Sequence, residues 1–333
     1  MTNIFKGETA NQVWTDAAKV LDNISSIQDS RLGDTKELLH VFFEINNPIQ
    51  RWVHSRVPAI NPAFSIAEVI WILSGSNEAS FINYWNPALP NYAGFDKNYY
   101  GAYGHRIRSN FGLDQLDKAF SALKSNPDTR QIVIQIWDPI KDLPNFNGTP
   151  QSDDIPCNIC SLVKIRDNKI DWLQIMRSND HYRGAPYNFV QFTSIQEILA
   201  GWLNCDVGTY CQVNDSSHLY VKDITDFSYL EHNAEIYNND RLAFSRCDFD
   251  CFLNELHQTA VELTQSKLDI AHFKKSLTSL NLPTEYKNWI YILGADSARR
   301  RGWVNEKNWA SDRCTNNALK YIWMCWDKRW HPT

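Results

Sequence analysis

Residues 154–220 constrain the fold of this chain most, because varied polar side chains accompany three recognisable secondary-structure segments there. Residues 161–165 and 170–176, joined by the polar residues 166–169, predict a β-hairpin. The apolar run at 189–203 predicts a buried helix. A thiol, an arginine, a carboxylate, an amide, an imidazole and a phenol are spread over this stretch. That variety predicts a polar small-molecule site rather than plain core.

The amino-acid composition is typical of a globular protein with its own hydrophobic core. The chain has 333 residues, 43% of them hydrophobic and 21% charged, which is enough for a sizeable core in one large domain or two ordinary ones. A net charge of -5 gives no sign of general nucleic-acid binding. No apolar run reaches the roughly 18 residues of a membrane span, and the start lacks the apolar run of a signal peptide. The eight cysteines form no regular framework, so we expect a cytoplasmic protein with reduced thiols.

Apolar spacing predicts further elements on both sides of that stretch. Helices are predicted at residues 11–23, 61–74 and 113–123, and strands at 38–45 and 130–137. Residues 205–220 are expected to mix loop and strand, and residues 299–301 to form a solvated basic turn. We therefore predict an α/β (α+β) fold, in which a mixed sheet packed with helices occupies residues 1–247. Residues 248–333 are predicted to form a helical C-terminal extension.

Cys157 and Cys160 have the C-x-x-C spacing found in zinc and dithiol sites. A structural zinc site needs a second pair, and Cys205 and Cys211 lie too far apart to echo the first. A thioredoxin-like dithiol needs a βα context, whereas a hairpin follows here. A lone nucleophilic Cys157 needs a nearby cation, which Arg177 at the end of the hairpin can supply. A metal-binding protein stays open as an alternative.

At Arg177 the chain begins a run, Arg-Ser-Asn-Asp-x-x-x-Gly-x-Pro-Tyr-Asn, that resembles the signature of thymidylate synthases and pyrimidine-nucleotide hydroxymethylases. Six further motifs fall in the order of that family. They are Glu68 in Glu-Val-Ile-Trp-Ile-Leu-x-Gly, Trp85, Tyr103-Gly104, Asp128-Thr129-Arg130, Pro156-Cys157 and His218-x-Tyr220. The resemblance covers about residues 25–230.

The resemblance implies one-carbon transfer from 5,10-methylenetetrahydrofolate to C5 of a uracil nucleotide, above all dUMP, through a covalent adduct at C6. The implied catalytic residues are Cys157, Glu68 and Tyr103. The implied substrate-binding residues are Arg31, Arg130, Arg177, Ser178, Asn188, His218 and Tyr220. The implied cofactor-binding residues are Trp85 and Asp180, and no metal is implied.

The resemblance also implies a homodimer with shared sites, to which each subunit lends Arg130 across the interface. Asn188 is implied to read uracil, because a carboxamide donates to O4 and accepts from N3–H, whereas aspartate there suits cytosine. Arg31, Arg177 and Ser178 are implied to bind the 5′-phosphate. The implied partners of the sugar hydroxyl are His218 and Tyr220.

The chain departs from the family at four places. Asn158 follows the cysteine where the family usually has His, Gln131 replaces a second arginine, and Asp215-Ser216 replaces a Gly-Asp pair. No short apolar tail is recognisable at the end of the chain. That tail excludes water from the site, so a 5-methyl and a 5-hydroxymethyl product both stay open. A nucleotide-binding regulatory pseudoenzyme and a cytosine-nucleotide 5-hydroxymethylase are the remaining alternatives.

Overall fold

The computed structural model describes residues 3–30, 32–231 and 236–330. The strands are β1 Asn3–Gly7, β2 Thr35–Ile45, β3 Arg56–Val57, β4 Val133–Gln135, β5 Asn158–Arg166, β6 Lys169–Asp180, β7 Asp206–Tyr220 and β8 Ser228–Tyr229. The helices up to the sheet's last long strand are α1 Ala10–Asp22, α2 Pro62–Leu73, α3 Ala79–Trp85, α4 Pro90–Ala93, α5 Tyr103–His105, α6 Gln115–Ser125, α7 Pro139–Asp142 and α8 Ala185–Leu203. The later helices are α9 Arg246–Thr264, α10 Ile270–Thr278, α11 Thr284–Arg300, α12 Val304–Arg313 and α13 Asn317–Lys328.

Six strands form one mixed sheet in the order β1-β2-β7-β6-β5-β4. β1 runs parallel to β2 and β6 runs parallel to β7, while the other neighbours are antiparallel. β3 and β8 form a separate pair. The predicted α/β (α+β) class, with a helical C-terminal part, is confirmed. The division into a catalytic domain at residues 1–247 and an extension at residues 248–333 stays a prediction.

The predicted hairpin is also confirmed, and its turn explains why it forms. Asp167 and Asn168 have φ angles of 50° and 58° between β5 and β6. A two-residue turn of this hand matches the right-handed twist of the flanking strands, and Asp and Asn tolerate positive φ better than most residues. The hairpin carries the segment before β5 alongside the end of β6.

Three local expectations are wrong. The strand predicted at 130–137 is only Val133–Gln135, and residues 206–220 form one continuous strand because β2 and β6 pair with both of its edges. Residues 299–301 were expected to form a basic turn, but Arg299 and Arg300 belong to the last turn of α11 and Arg301 is its C-cap. Arg299 and Arg300 bind the buried carboxylate of Asp296, one helical turn earlier, and their side chains are only 10% and 17% exposed.

Two helices with few exposed residues form the centre of the molecule. α2 begins after Asn61, whose side chain accepts a hydrogen bond from the amide of Phe64 (3.1 Å). It ends just before Gly75, which has a φ of 68°. α8 packs against β6, β7 and α2, and α9 and α11 pack against α2. The helices after residue 245 therefore share one hydrophobic core with the sheet. Among the described residues, no helix is both long enough and apolar enough to span a membrane.

A buried ion pair anchors α8. Glu197 is fully buried and binds the guanidinium of Arg51, which is 2% exposed. The other carboxylate oxygen of Glu197 accepts from the amide of Leu242 (3.0 Å). Charges removed from water to this degree are tolerated only when each has its partner.

Removing one member of this pair should destabilise the protein strongly. We expect Glu197→Ala to lower the free energy of unfolding by roughly 3–5 kcal/mol, because the charge of Arg51 stays buried without a partner. The double variant Arg51→Met/Glu197→Leu should recover part of the loss. Urea unfolding measures both. Lys6→Met, which breaks an ion pair with the half-exposed Glu44, is the control and should cost less than about 1 kcal/mol. Equal losses in the Glu197 and Lys6 variants would contradict the anchoring role.

Candidate active site

One large cavity, of about 1900 Å³, lies where α2, α3 and α8 meet the ends of the central strands. It brings together most of the site residues expected from the sequence. Those that line it are Glu68, Trp85, Tyr103, Cys157, Arg177, Ser178, Asp180, Asn188, His218 and Tyr220. Arg130 is not among the lining residues and is exposed in the bend before β4. Arg31 lies outside the described residues.

Cys157 directly precedes β5 and is held by Arg177 on the neighbouring strand. The amide of Arg177 donates to the Cys157 carbonyl (2.9 Å), and its Nε and Nη2 donate to the carbonyls of Pro156 (2.9 Å) and Ile155 (3.0 Å). A β-bulge between residues 158 and 160 shifts the register just after the cysteine. Burial raises the pKa of the Cys157 thiol, and the Arg177 guanidinium opposes this rise. The arrangement thus holds a thiol beside a fixed cation.

The parallel pairing of β6 and β7 sets a row of polar groups along one side of the cavity. Ser178 pairs with Ser216 and Asp180 with His218 in this register. Ser178 Oγ lies 3.5 Å from His218 Nδ1, and the rings of His218 and Tyr220 lie edge to face at 5.2 Å. Burial lowers the pKa of His218, while the Asp180 carboxyl opposes that change. Hydroxyl, imidazole and phenol side chains therefore converge at the ends of these strands.

Glu68 and Tyr103 supply titratable groups near Cys157. Burial raises the pKa of the Glu68 carboxyl to about 8, and a hydrogen bond from Gln191 opposes the rise. Glu68 Oε2 is buried and has no hydrogen-bond partner in the described part of the chain. Burial also raises the pKa of the Tyr103 phenol well above its usual value; neighbouring Cys157 adds to the rise and Asn158 opposes it. A neutral carboxyl in the same cavity as a thiol is a group suited to donating a proton.

Asn158, which stands where the resembled family usually has His, is fully buried at the start of β5. Its Oδ1 accepts a hydrogen bond from Gln174 Nε2 (2.8 Å). Its Nδ2 is buried without a hydrogen-bond partner among the described residues. A fixed amide donor therefore lies next to Tyr103 and Cys157.

Asn188 lies in the first turn of α8, is 6% exposed and lines the cavity. Its Nδ2 donates to Oε1 of Gln191, one helical turn further on (3.2 Å). Gln191 also lines the cavity and is 3% exposed. Sequence reasoning missed Gln191, although its spacing of three residues from Asn188 on a helix was the available signal.

Two further buried polar atoms, Trp85 Nε1 and Asp180 Oδ2, could each form a hydrogen bond with a bound heterocycle. Trp85 is fully buried, and its Nε1 has no hydrogen-bond partner in the described ranges. Asp180 Oδ1 accepts from the amides of Tyr182 (2.9 Å) and Arg183 (2.7 Å), whereas Oδ2 is buried and unpartnered there. Because orphaned buried donors and acceptors are costly, these residues fit a flat cofactor with polar ring atoms.

The C-terminal helices form the rim of the cavity, which the sequence did not predict. Arg299 and Arg300 at the end of α11, and Trp326, Arg329 and Trp330 in and after α13, line it. Cations stack on rings there: the Arg299 guanidinium lies 4.7 Å from the Trp330 ring centre and Arg329 5.4 Å from that of Trp326. The rim is therefore both basic and aromatic.

The cysteine pair does not bring a metal-ligand set with it. All eight cysteines are free thiols. Within residues 3–30, 32–231 and 236–330, no group of three or more His, Cys, Asp or Glu side chains is placed to hold a metal ion.

The raised pKa of Glu68 makes stability depend on pH. The folded protein holds this proton up to about pH 8, whereas an unfolded chain releases it near 4.5. Ionisation thus favours unfolding, and the contribution of Glu68 to stability falls as pH rises from about 4.5 to about 8. We expect Glu68→Gln to gain stability relative to the unmodified protein over this interval in urea unfolding. Glu231→Gln, at an exposed position, should not gain stability over this interval. The same pH dependence of stability in both variants would contradict a buried neutral carboxyl at Glu68.

Comparisons with known proteins agree with this geometry. A family model described as "Thymidylate synthase" matches residues 56–276. The chain is 34% identical over 230 residues to the deoxyuridylate hydroxymethyltransferase of Bacillus phage SP01, a match covering 66% of this chain and 59% of that protein. It is 27% identical over 165 residues to a thymidylate synthase of Francisella tularensis subsp. holarctica, covering 46% of this chain and 60% of the relative.

The fold also has a counterpart among solved structures. The crystal structure of thymidylate synthase from T4 phage superposes with a TM-score of 0.50 at 22% identity, covering 64% of this chain and 77% of that one. The chain spans only about three fifths of the length of the two curated relatives above. The match of the family model to most of the chain, on a sheet and cavity of this arrangement, means that the chain belongs to the thymidylate synthase family.

Proposed function

We propose that this protein transfers a one-carbon unit from 5,10-methylenetetrahydrofolate to C5 of dUMP and releases the 5-hydroxymethyl nucleotide. The observation that carries the proposal is the position of Cys157, held by Arg177 in a cavity that also contains Glu68, Tyr103 and Asn188. A protein that only binds a nucleotide needs no nucleophile, so this set argues against a regulatory pseudoenzyme.

Cys157 begins the reaction. Its Sγ bonds to C6 of the uracil ring, and the electron pair of the C5–C6 double bond moves toward C5 and O4. C5 thereby becomes the nucleophile that the reaction requires. Arg177 favours the thiolate that burial disfavours. Glu68, neutral up to about pH 8, donates a hydrogen bond to the charge that develops at O4. Tyr103, beside Cys157, assists removal of the C5 proton.

The remaining polar groups hold the substrate. Arg177 has Nη1 to offer a phosphate, because its Nε and Nη2 are bound to backbone carbonyls. We propose that Ser178 and Arg31 also bind the 5′-phosphate. His218 and Tyr220, at the end of β7, are assigned to the sugar hydroxyl. Asn188 reads the edge of the base.

Trp85 and Asp180 would hold the folate ring through Nε1 and Oδ2, the buried atoms that have no hydrogen-bond partner in the described ranges. The cofactor supplies, when bound, a carbon at the oxidation level of formaldehyde. The role of the protein there is to orient the ring over the base and to control access of water.

The choice of product rests on the relatives. The protein named as a hydroxymethyltransferase is 34% identical to this chain, whereas the thymidylate synthase named above is 27% identical. Thymidylate is the second candidate product; it needs a hydride at the transferred carbon in place of hydroxide from water.

The adduct is the first test. With 5-fluoro-dUMP and methylenetetrahydrofolate, we expect a covalent complex at Cys157 that survives denaturation, because fluorine at C5 cannot leave as a proton does. Mass spectrometry of peptides locates it. Cys157→Ala should form no complex and show no turnover, while Cys160→Ala should keep most of both. Equal loss in the two variants would revive the dithiol or metal alternative.

The product is identified in the same reaction mixtures. Incubation with dUMP, UMP, dCMP and CMP followed by mass spectrometry separates a 5-hydroxymethyl from a 5-methyl nucleotide. We expect 5-hydroxymethyl-dUMP. A 5-methyl product would replace the first candidate by the second without affecting the adduct.

We further propose a homodimer with shared sites. The face of the sheet opposite α8 carries half-buried apolar side chains, among them Leu162, Leu173, Ile175 and Val213. Such a face is suited to a second copy of the chain. Arg130 is exposed outside its own cavity, which supports a role in the site of the partner subunit.

Mixing two inactive variants tests the shared site. Arg130→Ala and Cys157→Ala chains should each be inactive alone. A heterodimer contains one site with both the thiol and the arginine, so equal mixing should restore roughly a quarter of the sites. Activity after subunit exchange is the measurement. Exchange verified by mass spectrometry without any recovery would reject the shared site. The control is the double variant Arg130→Ala/Cys157→Ala mixed with Arg130→Ala, in which no dimer contains an Arg130 and activity should stay absent.

A further inference from the structure

Asn188 can select uracil only if its amide has one orientation. Uracil presents a donor at N3 and an acceptor at O4, whereas cytosine presents an acceptor at N3 and a donor at the amino group. A carboxamide turned by 180° exchanges its donor and its acceptor and so fits the other base. Whatever fixes Asn188 therefore decides which base the cavity accepts.

The contact that fixes Asn188 comes from Gln191. Asn188 Nδ2 donates one hydrogen to Gln191 Oε1 (3.2 Å). For Asn188 to pair with uracil, the hydrogen that remains must be the one on the same side of the amide as Oδ1. That edge offers a donor and an acceptor side by side, as O4 and N3–H of uracil require. A reversed Asn188 would turn its oxygen toward the oxygen of Gln191 and lose this bond.

Gln191 is in turn held by Glu68. Gln191 interacts with the Glu68 carboxyl and opposes the rise in that carboxyl's pKa, which is the effect of a hydrogen-bond donor. Glu68 Oε2 is the oxygen without a partner among the described residues, so a proton on the carboxyl can reside there and the other oxygen remains an acceptor. With its nitrogen committed to Glu68, Gln191 must turn its oxygen toward Asn188.

The side chains of Asn188 and Gln191 and the Oε2 atom of Glu68 are removed from water, so solvent competes little for these bonds. Gln191 is 3% and Asn188 6% exposed, and both lie on α8, which packs against α2. We propose that Gln191 is a specificity-determining positioning residue, which relays the fixed acceptor of Glu68 to Asn188 and thereby makes the site select uracil over cytosine. The proposal rests on the proposed function, because it presumes that Asn188 contacts the base.

The central experiment measures kcat/KM for dUMP and dCMP in four proteins. The unmodified protein should prefer dUMP. In Gln191→Met, which is similar in length and has no amide, Asn188 is free to turn, and the dUMP-to-dCMP ratio should fall by roughly tenfold or more. In Gln191→Glu, an oxygen still accepts from Asn188, and the ratio should stay within about threefold of the unmodified protein.

Thr193→Val is the matched control on the same helix. Thr193 is fully buried, its hydroxyl donates to the carbonyl of Phe189 (2.6 Å), and it is not among the described residues that line the cavity. Its substitution should leave the ratio unchanged. An unaltered ratio in Gln191→Met, or a loss in Gln191→Glu equal to that in Gln191→Met, would overturn the proposal.

A second variant covers the case in which Gln191→Met does not fold. Glu68→Gln replaces the fixed acceptor by an amide that suits either orientation of Gln191. The ratio of dCMP to dUMP dissociation constants, measured by calorimetry, should therefore fall toward one in this variant. An unchanged ratio would overturn the relay. If the unmodified protein neither binds nor converts dUMP, the proposed function fails as well, which distinguishes that failure from a defect of the relay alone.

Discussion

Helix α8 is enclosed by protein along most of its length, so its polar side chains must find their partners inside the molecule. Gln196 donates to the carbonyl of Ile170 on β6 (2.8 Å), and Glu197 binds Arg51. These bonds fix the height and rotation of the helix against the sheet. The position of Asn188, at the other end of the same helix, follows from them. The stability of the fold and the geometry of the cavity thus depend on one set of buried contacts.

Cys157 is positioned by strand pairing rather than by a free loop. Arg177 binds three consecutive carbonyls, of Ile155, Pro156 and Cys157, through its side chain and its own amide. The bulge that follows at the start of β5 lets Cys157 leave the ladder at that point. A site supported by strands in this way keeps its geometry without help from a ligand.

Local patterns in the sequence were sufficient for the hairpin and for the buried helix, and the family motifs were sufficient for ten of the residues that line the cavity. Their signals are short-range: turn residues such as Asp167 and Asn168, apolar runs, and motifs with fixed spacing. What the sequence could not supply depends on contacts between distant segments. β7 is continuous despite Asp215 and Ser216, because strands on both sides satisfy its backbone. The partner of Gln191 is Glu68 on another helix, and no local pattern identifies it.

The floor and the rim of the cavity come from separate parts of the chain. The cavity-lining residues proposed for catalysis and substrate binding lie on the strands, just before β5 and on α2, α5 and α8, whereas Arg299, Trp326 and Trp330 come from α11, α13 and the residues after α13. A transient opening of α13 would widen the mouth and leave Cys157 undisturbed, because their supports are different. Access to the cavity therefore depends in part on the packing of a helix that carries none of the proposed catalytic residues. Two chains of this kind could share a reaction and still differ in how quickly they release its product.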